Sequence, residues 1–106
     1  MRRRDFKRLT LEASERRLGL MFHTKNKEYA TDVDALANFK QRARLLGIAP
    51  WEVALGDASK HLIQIQDHLR ARNFTKSESL ESRFDDLHNY LDLLYAIHVE
   101  DSGGEA

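Results

Sequence analysis

The segment from Leu80 to Glu100, LESRFDDLHNYLDLLYAIHVE, carries the longest regular hydrophobic pattern of the chain. Five apolar residues and a final histidine recur at alternating steps of four and three: Leu80, Phe84, Leu87, Leu91, Leu94 and His98. Residues at these spacings share one face of an α-helix, so the pattern predicts a long helix with a hydrophobic seam. Thr75 and Glu78 match a capping box that starts it. We expect this helix to be central, with its seam in the interior or at a dimer interface.

Three further helices are predicted upstream of this segment. The first runs from about Thr10 to His23, or begins earlier, in the arginine-rich start. The second lies between an N-cap at Asp34 and a left-handed end at Gly47. Its apolar positions, at steps of three and four, are Leu36, Phe39, Ala43 and Leu46. The third begins with Pro50, continues to about Arg72 and contains Gly56, which indicates a close helix crossing. Its apolar stripe consists of Trp51, Leu55, Ala58, Leu62, Ile65 and Leu69.

These elements predict an all-α fold, a small bundle of three to four helices with a long loop over residues 24–33, after the first helix. A chain of 106 residues with one proline suits a single domain. We divide it into a basic N-terminal arm (1–9), a helical domain (10–99) and a disordered tail (100–106).

Composition excludes several classes of protein. The chain has no cysteine, and no apolar stretch approaches the roughly 18 to 20 residues of a membrane span. The start of the chain does not match a secretory signal, so we expect a cytoplasmic protein without membrane contact. The five histidines lack zinc-ligand spacing, and P-loop and Rossmann glycine patterns are absent.

The charges are distributed unevenly along the chain. Residues 1–75 hold 15 basic and 9 acidic side chains, whereas residues 76–106 hold 2 basic and 8 acidic ones. Three interpretations follow: the two halves attract each other within the fold or across a dimer, the acidic half binds a metal, or the basic start (Arg2 to Arg4, Lys7 and Arg8) contacts nucleic acid.

The fourth helix carries a different polar flank on each side of its seam. One flank is acidic, with Glu78, Glu81, Asp85 and Asp92 beside His88. Oxygen ligands at these spacings suit Mg²⁺, although solvated acidic stripes are also common on surface helices. The other flank carries Ser79, Arg83, Asp86 and Tyr90, followed by Leu93 and Ile97, and we expect a second contact surface there.

Four blocks of sequence resemble the nucleotide modification associated domain family, a group of short helical phage and bacterial proteins. They are residues 27–30 (KEYA), 34–39 (DALANF), 46–55 (LGIAPWEVAL) and 77–90 (SESLESRFDDLHNY). The family's features fall on Tyr29, Asn38, Phe39, Gly47, Trp51, Glu52, Lys60, Glu78, Ser79, Glu81, Asp86 and Tyr90. The family is associated with modified-nucleotide synthesis in phages, and its carboxylate-rich helices invite comparison with the MazG-like all-α nucleoside triphosphate pyrophosphohydrolases.

The chain departs from the family pattern at two positions that usually carry acidic residues, Ser59 and Ser82. Two potential metal ligands are therefore missing. Either Asp57 and Asp85 replace them, or the chain binds without catalysing.

The resemblance and the residue pattern together imply a phage-type protein that binds a nucleotide, with Mg²⁺-dependent pyrophosphohydrolysis as an added activity. The expected nucleotide-binding residues are Tyr29, Trp51, Lys60, Arg83 and Tyr90, and the expected metal ligands are Glu78, Glu81, Asp85 and Asp86. The alternative is a non-catalytic interaction protein that binds a host or phage protein through its acidic face. In both cases we expect a homodimer, because helices with single apolar stripes leave surface uncovered.

Overall fold

The computed structural model describes residues 1–22, 34–71 and 79–103 of the chain. Within these ranges it contains four α-helices and no strand, which confirms the predicted all-α bundle. The helices are α1 (Arg3–Leu20), α2 (Ala37–Leu46), α3 (Pro50–Ala71) and α4 (Leu80–Asp101). The predicted long loop, residues 24–33, lies outside the described residues.

Local sequence signals explain where several helices begin and end. Gly47 adopts a left-handed conformation with φ of 68° and ends α2, as predicted. At the start of α3 the Glu52 carboxylate accepts a hydrogen bond from the Ala49 amide at 3.2 Å. The Ser79 hydroxyl accepts a hydrogen bond from the Ser82 amide at 3.1 Å, and Ser79 is the N-cap residue of α4. The predicted capping box at residues 75–78 lies outside the described residues.

Two helix boundaries differ from the predicted division of the chain. Helix α1 begins at Arg3 rather than Thr10, so most of the expected N-terminal arm is helical. Helix α4 continues to Asp101, two residues into the expected tail. None of the 18 residues of α1 is buried against the described part of the chain, which leaves its basic N-terminal half on the surface.

The hydrophobic core lies where α2, the first turns of α3 and the second half of α4 meet. Phe39 is 1% exposed and forms its centre, and the edge of the Tyr90 ring packs against it with the ring centroids 6.4 Å apart. The core residues are Met21, Leu36, Phe39, Ala43, Val53, Ala54, Leu93 and Ile97. The predicted apolar positions of α2 are therefore confirmed, except Leu46, which is 65% exposed.

Helix α4 is central, but within the single chain it does not fully bury the predicted seam. It packs against both α1 and α3. Its buried positions include Leu93 and Ile97, whereas Phe84 and Leu91 of the seam are more than 40% exposed. Within one chain the seam is therefore only partly interior: Leu94 packs against the core, whereas Phe84 and Leu91 stay exposed, because the more polar face of α4 is turned to the core.

A charged link joins the start of α2 to the end of α4. The Asp34 carboxylate accepts hydrogen bonds from the Leu36 amide at 2.9 Å and from the Lys40 ammonium at 2.6 Å. Lys40 also lies 2.5 Å from the Glu100 carboxylate. Asp34 therefore orders the turn before α2 rather than capping the helix directly, since the N-cap position is Leu36.

No helix in the described ranges combines the length and the apolar content that crossing a bilayer would require.

We expect Ile97→Ala to lower the free energy of unfolding by about 2 to 5 kcal/mol, because Ile97 is 2% exposed in the core. The matched control is Leu45→Ala on α2, where the side chain is 80% exposed and the loss should stay within about 0.5 kcal/mol. Urea titration of both variants measures the difference. Equal losses would contradict the assignment of the α4 core face.

Asp34 should make the fold sensitive to acid. The hydrogen bond from Lys40, and then that from the Leu36 amide, lower the pKa of Asp34 below its ordinary value. A carboxylate whose pKa is lowered in the folded state contributes stability at pH values above its unfolded-state pKa of about 3.9. This contribution is lost as the pH falls through the folded-state pKa. Asp34→Asn should therefore destabilise the protein at pH 7, and the difference from wild type should vanish at low pH in urea titrations.

Candidate functional site

The acidic flank of α4 faces α1 and is paired with its arginines. The Arg16 guanidinium donates two hydrogen bonds to Asp85, from Nε to Oδ2 at 3.0 Å and from Nη2 to Oδ1 at 2.9 Å. Arg16 also lies 3.4 Å from Glu81, and Arg17 pairs with Asp92. The hydrogen bond to Asp85 raises the pKa of Arg16 above its ordinary value. Attraction between the two charged halves of the chain is thus present within the fold.

This pairing bears directly on the expected Mg²⁺ ligands. Asp85 is buried and both of its oxygens already accept hydrogen bonds from a cation. Asp86 lies about 100° further round α4, on the side of the core. Among the described residues, no group of three acidic, histidine or cysteine side chains gathers in a way that suits a metal ion. Glu78 lies outside the described residues.

A second polar region lies between α3 and α4, on the side that also borders α2. We call it the polar α3–α4 cluster. It consists of Arg42, Asp57, His61, Gln64, Arg83, Asp86, Asn89 and Tyr90. Asp57, Asp86 and Asn89 are each less than 10% exposed, which is unusual for such polar side chains.

Arg42 and Asp57 form the charged part of this cluster. Arg42 donates from Nη1 and Nη2 to the two carboxylate oxygens of Asp57, at 2.8 and 2.9 Å. A weaker contact of 3.4 Å joins Arg42 to the Asn38 amide oxygen. The hydrogen bond to Asp57 raises the pKa of Arg42, and nearby Tyr90 acts in the same direction. The bidentate geometry compensates Asp57 for the loss of water.

Rings and amides form the rest of the cluster. The His61 and Tyr90 rings stack with centroids 4.9 Å apart and planes 25° from parallel. The Arg83 guanidinium donates a hydrogen bond to the side-chain oxygen of Gln64 at 2.7 Å. This second contact between α4 and α3 lies about one helical turn from His61. Asn89 is 2% exposed, yet its Oδ1 has no hydrogen-bond partner among the described residues. The buried Nδ1 of His61 likewise has none there.

An unpaired buried polar atom is costly, by about 1 to 3 kcal/mol. Native proteins therefore leave few such atoms, and each calls for an explanation such as a bound water or ligand. Two of them occur within one cluster that also contains stacked rings and two arginines. The cluster is therefore the strongest candidate for a ligand site in the described part of the chain.

The structure brings together some of the expected nucleotide-binding residues and separates others. Tyr90, Arg83 and the proposed metal ligand Asp86 belong to the polar α3–α4 cluster. Lys60 is exposed on α3 and precedes Gln64 by four residues, so it lies on the same helix face. Tyr29 lies outside the described residues.

Trp51 lies apart from this cluster. It is 47% exposed and does not belong to the core that its position in the stripe suggested. With Leu91, Leu94, Tyr95, His98 and Asp101 it lines a surface groove of about 420 Å³. The groove contains no lysine or arginine and has a carboxylate at one end, so it is poorly suited to phosphate.

Sequence reasoning did not identify Arg42, His61 or Asn89 as site residues. Arg42 and Asp57 are 15 positions apart on different helices, so their pairing has no local sequence signal. Asn89 does have a local sequence signal, because it follows Asp86 by three residues and precedes Leu93 by four, which places all three on one helix face. Polar residues in register with buried leucine and isoleucine indicate a polar part of the interior.

Comparison of the chain with protein-family models, with curated proteins and with solved structures found no match.

We expect Arg16→Gln to lower the free energy of unfolding by about 1 to 3 kcal/mol, since it leaves the buried Asp85 carboxylate without its charged partner. The matched control is Arg8→Gln, which removes an exposed pair with Asp5 at 3.2 Å and should cost less than about 0.5 kcal/mol. Urea titration at pH 7 compares them. If the two variants behave alike, Arg16 does not anchor α1 to α4.

Proposed function

We propose that the protein binds a nucleotide at the polar α3–α4 cluster. The observation that carries this proposal is the buried Asn89 side chain, whose Oδ1 has no partner among the described residues. An amide oxygen accepts hydrogen bonds from the exocyclic amino groups of bases, and amide side chains are common readers of base edges. The nearby His61 Nδ1 offers a second polar contact for the same ligand.

Positive charge beside the cluster supports a phosphorylated ligand. Arg83 reaches across to α3, where Lys60 lies on the same helix face as Gln64. Lysine and arginine contribute charge-assisted hydrogen bonds to phosphate oxygens. The exposed position of Lys60 suits the phosphates, and the buried position of Asn89 suits the base. The resemblance to the nucleotide modification associated domain family favours the same class of ligand.

We propose binding without turnover as the main activity. Magnesium-dependent pyrophosphohydrolysis through Glu81 and Asp85 would require both carboxylates to leave Arg16, which lies within 3.4 Å of each. Of the expected metal ligands that lie within the described residues, only Asp86 belongs to the polar α3–α4 cluster. Serine at positions 59 and 82 further weakens the case for hydrolysis.

The alternative, a protein partner on the acidic face, has less support. Asp85 and Asp92 of that face pair with Arg16 and Arg17 of the same chain. A partner would have to displace α1 or bind to the carboxylate edges that α1 leaves exposed.

A thermal-shift series with purine and pyrimidine nucleoside mono-, di- and triphosphates, each with and without Mg²⁺, tests the proposal. A nucleotide at a hundred times its dissociation constant should stabilise the fold by about 2.7 kcal/mol. A shift that persists in EDTA supports binding through the cluster alone. A shift seen only with Mg²⁺, together with pyrophosphate release, would favour the enzyme instead. The absence of any shift at millimolar nucleotide would reject the proposal.

The site is tested by Lys60→Gln, which removes a charge from an exposed position and should leave the unliganded protein as stable as wild type. We expect about a tenfold loss of nucleotide affinity, corresponding to roughly 1.4 kcal/mol for one phosphate contact. The matched control is Lys7→Gln on α1, which should leave the affinity within twofold of wild type at constant ionic strength. Equal effects of the two variants would mean that only overall charge matters.

A further inference from the structure

Helices α3 and α4 expose apolar side chains on one common side, away from the core. We call this surface the apolar α3–α4 face, and it consists of Trp51, Leu55, Leu62, Phe84, Leu91 and Tyr95. Each of these side chains is between 41% and 59% exposed. Trp51 of α3 and Leu91 and Tyr95 of α4 line the same groove, which shows that the two stripes meet on one side of the hairpin. Exposed apolar surface of this kind marks an interaction site.

We propose that a second copy of this chain covers the apolar α3–α4 face, so that two hairpins form a four-helix bundle with α3 antiparallel to α3 of the second copy. This proposal does not rest on nucleotide binding.

The spacing of the apolar residues suits a two-fold axis. The stripe of α3, from Trp51 to Leu69, has steps of 4, 3, 4, 3 and 4 residues, and the seam of α4, from Leu80 to His98, has the same steps. Both patterns read the same in either direction. Ala58 and Ile65 of the α3 stripe are buried within the chain, so the residues that an antiparallel copy of α3 can contact are Trp51, Leu55, Leu62 and Leu69. Trp51 and Leu69 lie at equal distances from position 60, so the copy brings each opposite the other. A continuous seam with these alternating steps is also the pattern of helices that pack against partner helices.

One axis serves both helices. The centres of the two patterns lie at positions 60 and 89, and His61 stacks on Tyr90 at 4.9 Å. The two centres therefore lie within about 3 Å of each other along the hairpin, at a rise of 1.5 Å per residue. A single rotation axis at this level brings the exposed apolar residues of both helices onto those of the second copy together, as a self-complementary dimer interface requires.

Charge complementarity supports this orientation. Glu52 and Arg70 are exposed on the same flank of α3, 8 and 10 residues from the proposed axis at position 60, so across an antiparallel contact they are offset by only about 3 Å along the helix. An antiparallel copy of α3 brings each Glu52 opposite Arg70 of the second copy, which gives two ion pairs at the rims of the interface. In the other two-fold arrangement α3 packs on α4 of the second copy, and Glu52 then meets the carboxylate of Asp101, which is unfavourable.

The close helix crossing predicted at Gly56 is absent within the described residues, because no atom of them lies within 4 Å of the position that a Cβ would take. Gly56 lies about 120° round α3 from Leu62, outside the apolar α3–α4 face.

The size of the surface is also sufficient. Two 22-residue helices packed about 10 Å apart present a face roughly 33 Å long and 20 Å wide, or about 650 Å². Standard interfaces bury about 800 Å² per partner, so this face supplies most of what a stable dimer needs.

Sedimentation equilibrium at micromolar concentration tests the proposal with two matched variants. The wild-type protein should sediment at about twice its chain mass of 12.3 kDa. Leu62→Asp, at a side chain 57% exposed on the proposed interface, should raise the dimer dissociation constant at least a hundredfold. Leu11→Asp, at a side chain 53% exposed on α1, should leave the dimer unchanged. Circular dichroism checks that both variants fold.

A monomeric wild type would overturn the proposal, and so would a dimer that Leu11→Asp disrupts and Leu62→Asp does not. If Leu62→Asp fails to fold, the orientation is tested without it. The chain contains no cysteine, so Ser59→Cys introduces a single thiol next to the centre of α3. A short bismaleimide should cross-link this variant into a dimer, whereas the control Gln41→Cys, exposed on α2, should stay uncross-linked. Equal cross-linking of the two would reject the antiparallel contact.

Discussion

Arginines of α1 hold the positively charged half of the chain against the negatively charged helix α4. The two hydrogen bonds between Arg16 and Asp85, at 2.9 and 3.0 Å, are the centre of this contact. Because the acidic flank of α4 is directed at α1, the opposite flank has to face α2 and α3. That rotation of α4 about its axis decides which side chains enter the core, which form the polar α3–α4 cluster and which stay on the surface.

The interior that results is partly polar. Asp57, Asp86 and Asn89 are buried where a helical bundle usually has aliphatic side chains. Buried polar groups of this kind are stabilising only when all of their hydrogen-bonding atoms have partners. Arg42 supplies such partners for both carboxylate oxygens of Asp57. The Oδ1 atom of Asn89 has no hydrogen-bond partner among the described residues. In the proposed complex, a bound nucleotide would supply the missing hydrogen-bond partner.

The polar interior and the apolar surface have one common cause. Since α4 directs polar residues inward, Phe84 and Leu91 of its seam are left outside, as are Trp51 and Leu55 of α3. In the proposed dimer this seam is buried between two copies, and the hydrophobic effect acts between chains rather than within one. The level of the two-fold axis coincides with the His61–Tyr90 stack, so each nucleotide site would lie close to the interface along the helix direction.

The sequence by itself determined the helical class, most of the helix positions, the left-handed end at Gly47 and the core positions Phe39 and Ala43. Periodicity and capping are local properties, and a helix forms wherever they agree. The sequence also contained the opposite charges of the two halves. Only the tertiary structure decided which face of α4 is buried, that Asp85 belongs to Arg16, and that Arg42 and Asp57 meet beside Asn89 and Tyr90. These outcomes depend on contacts between residues far apart in the chain, which local periodicity and capping do not specify.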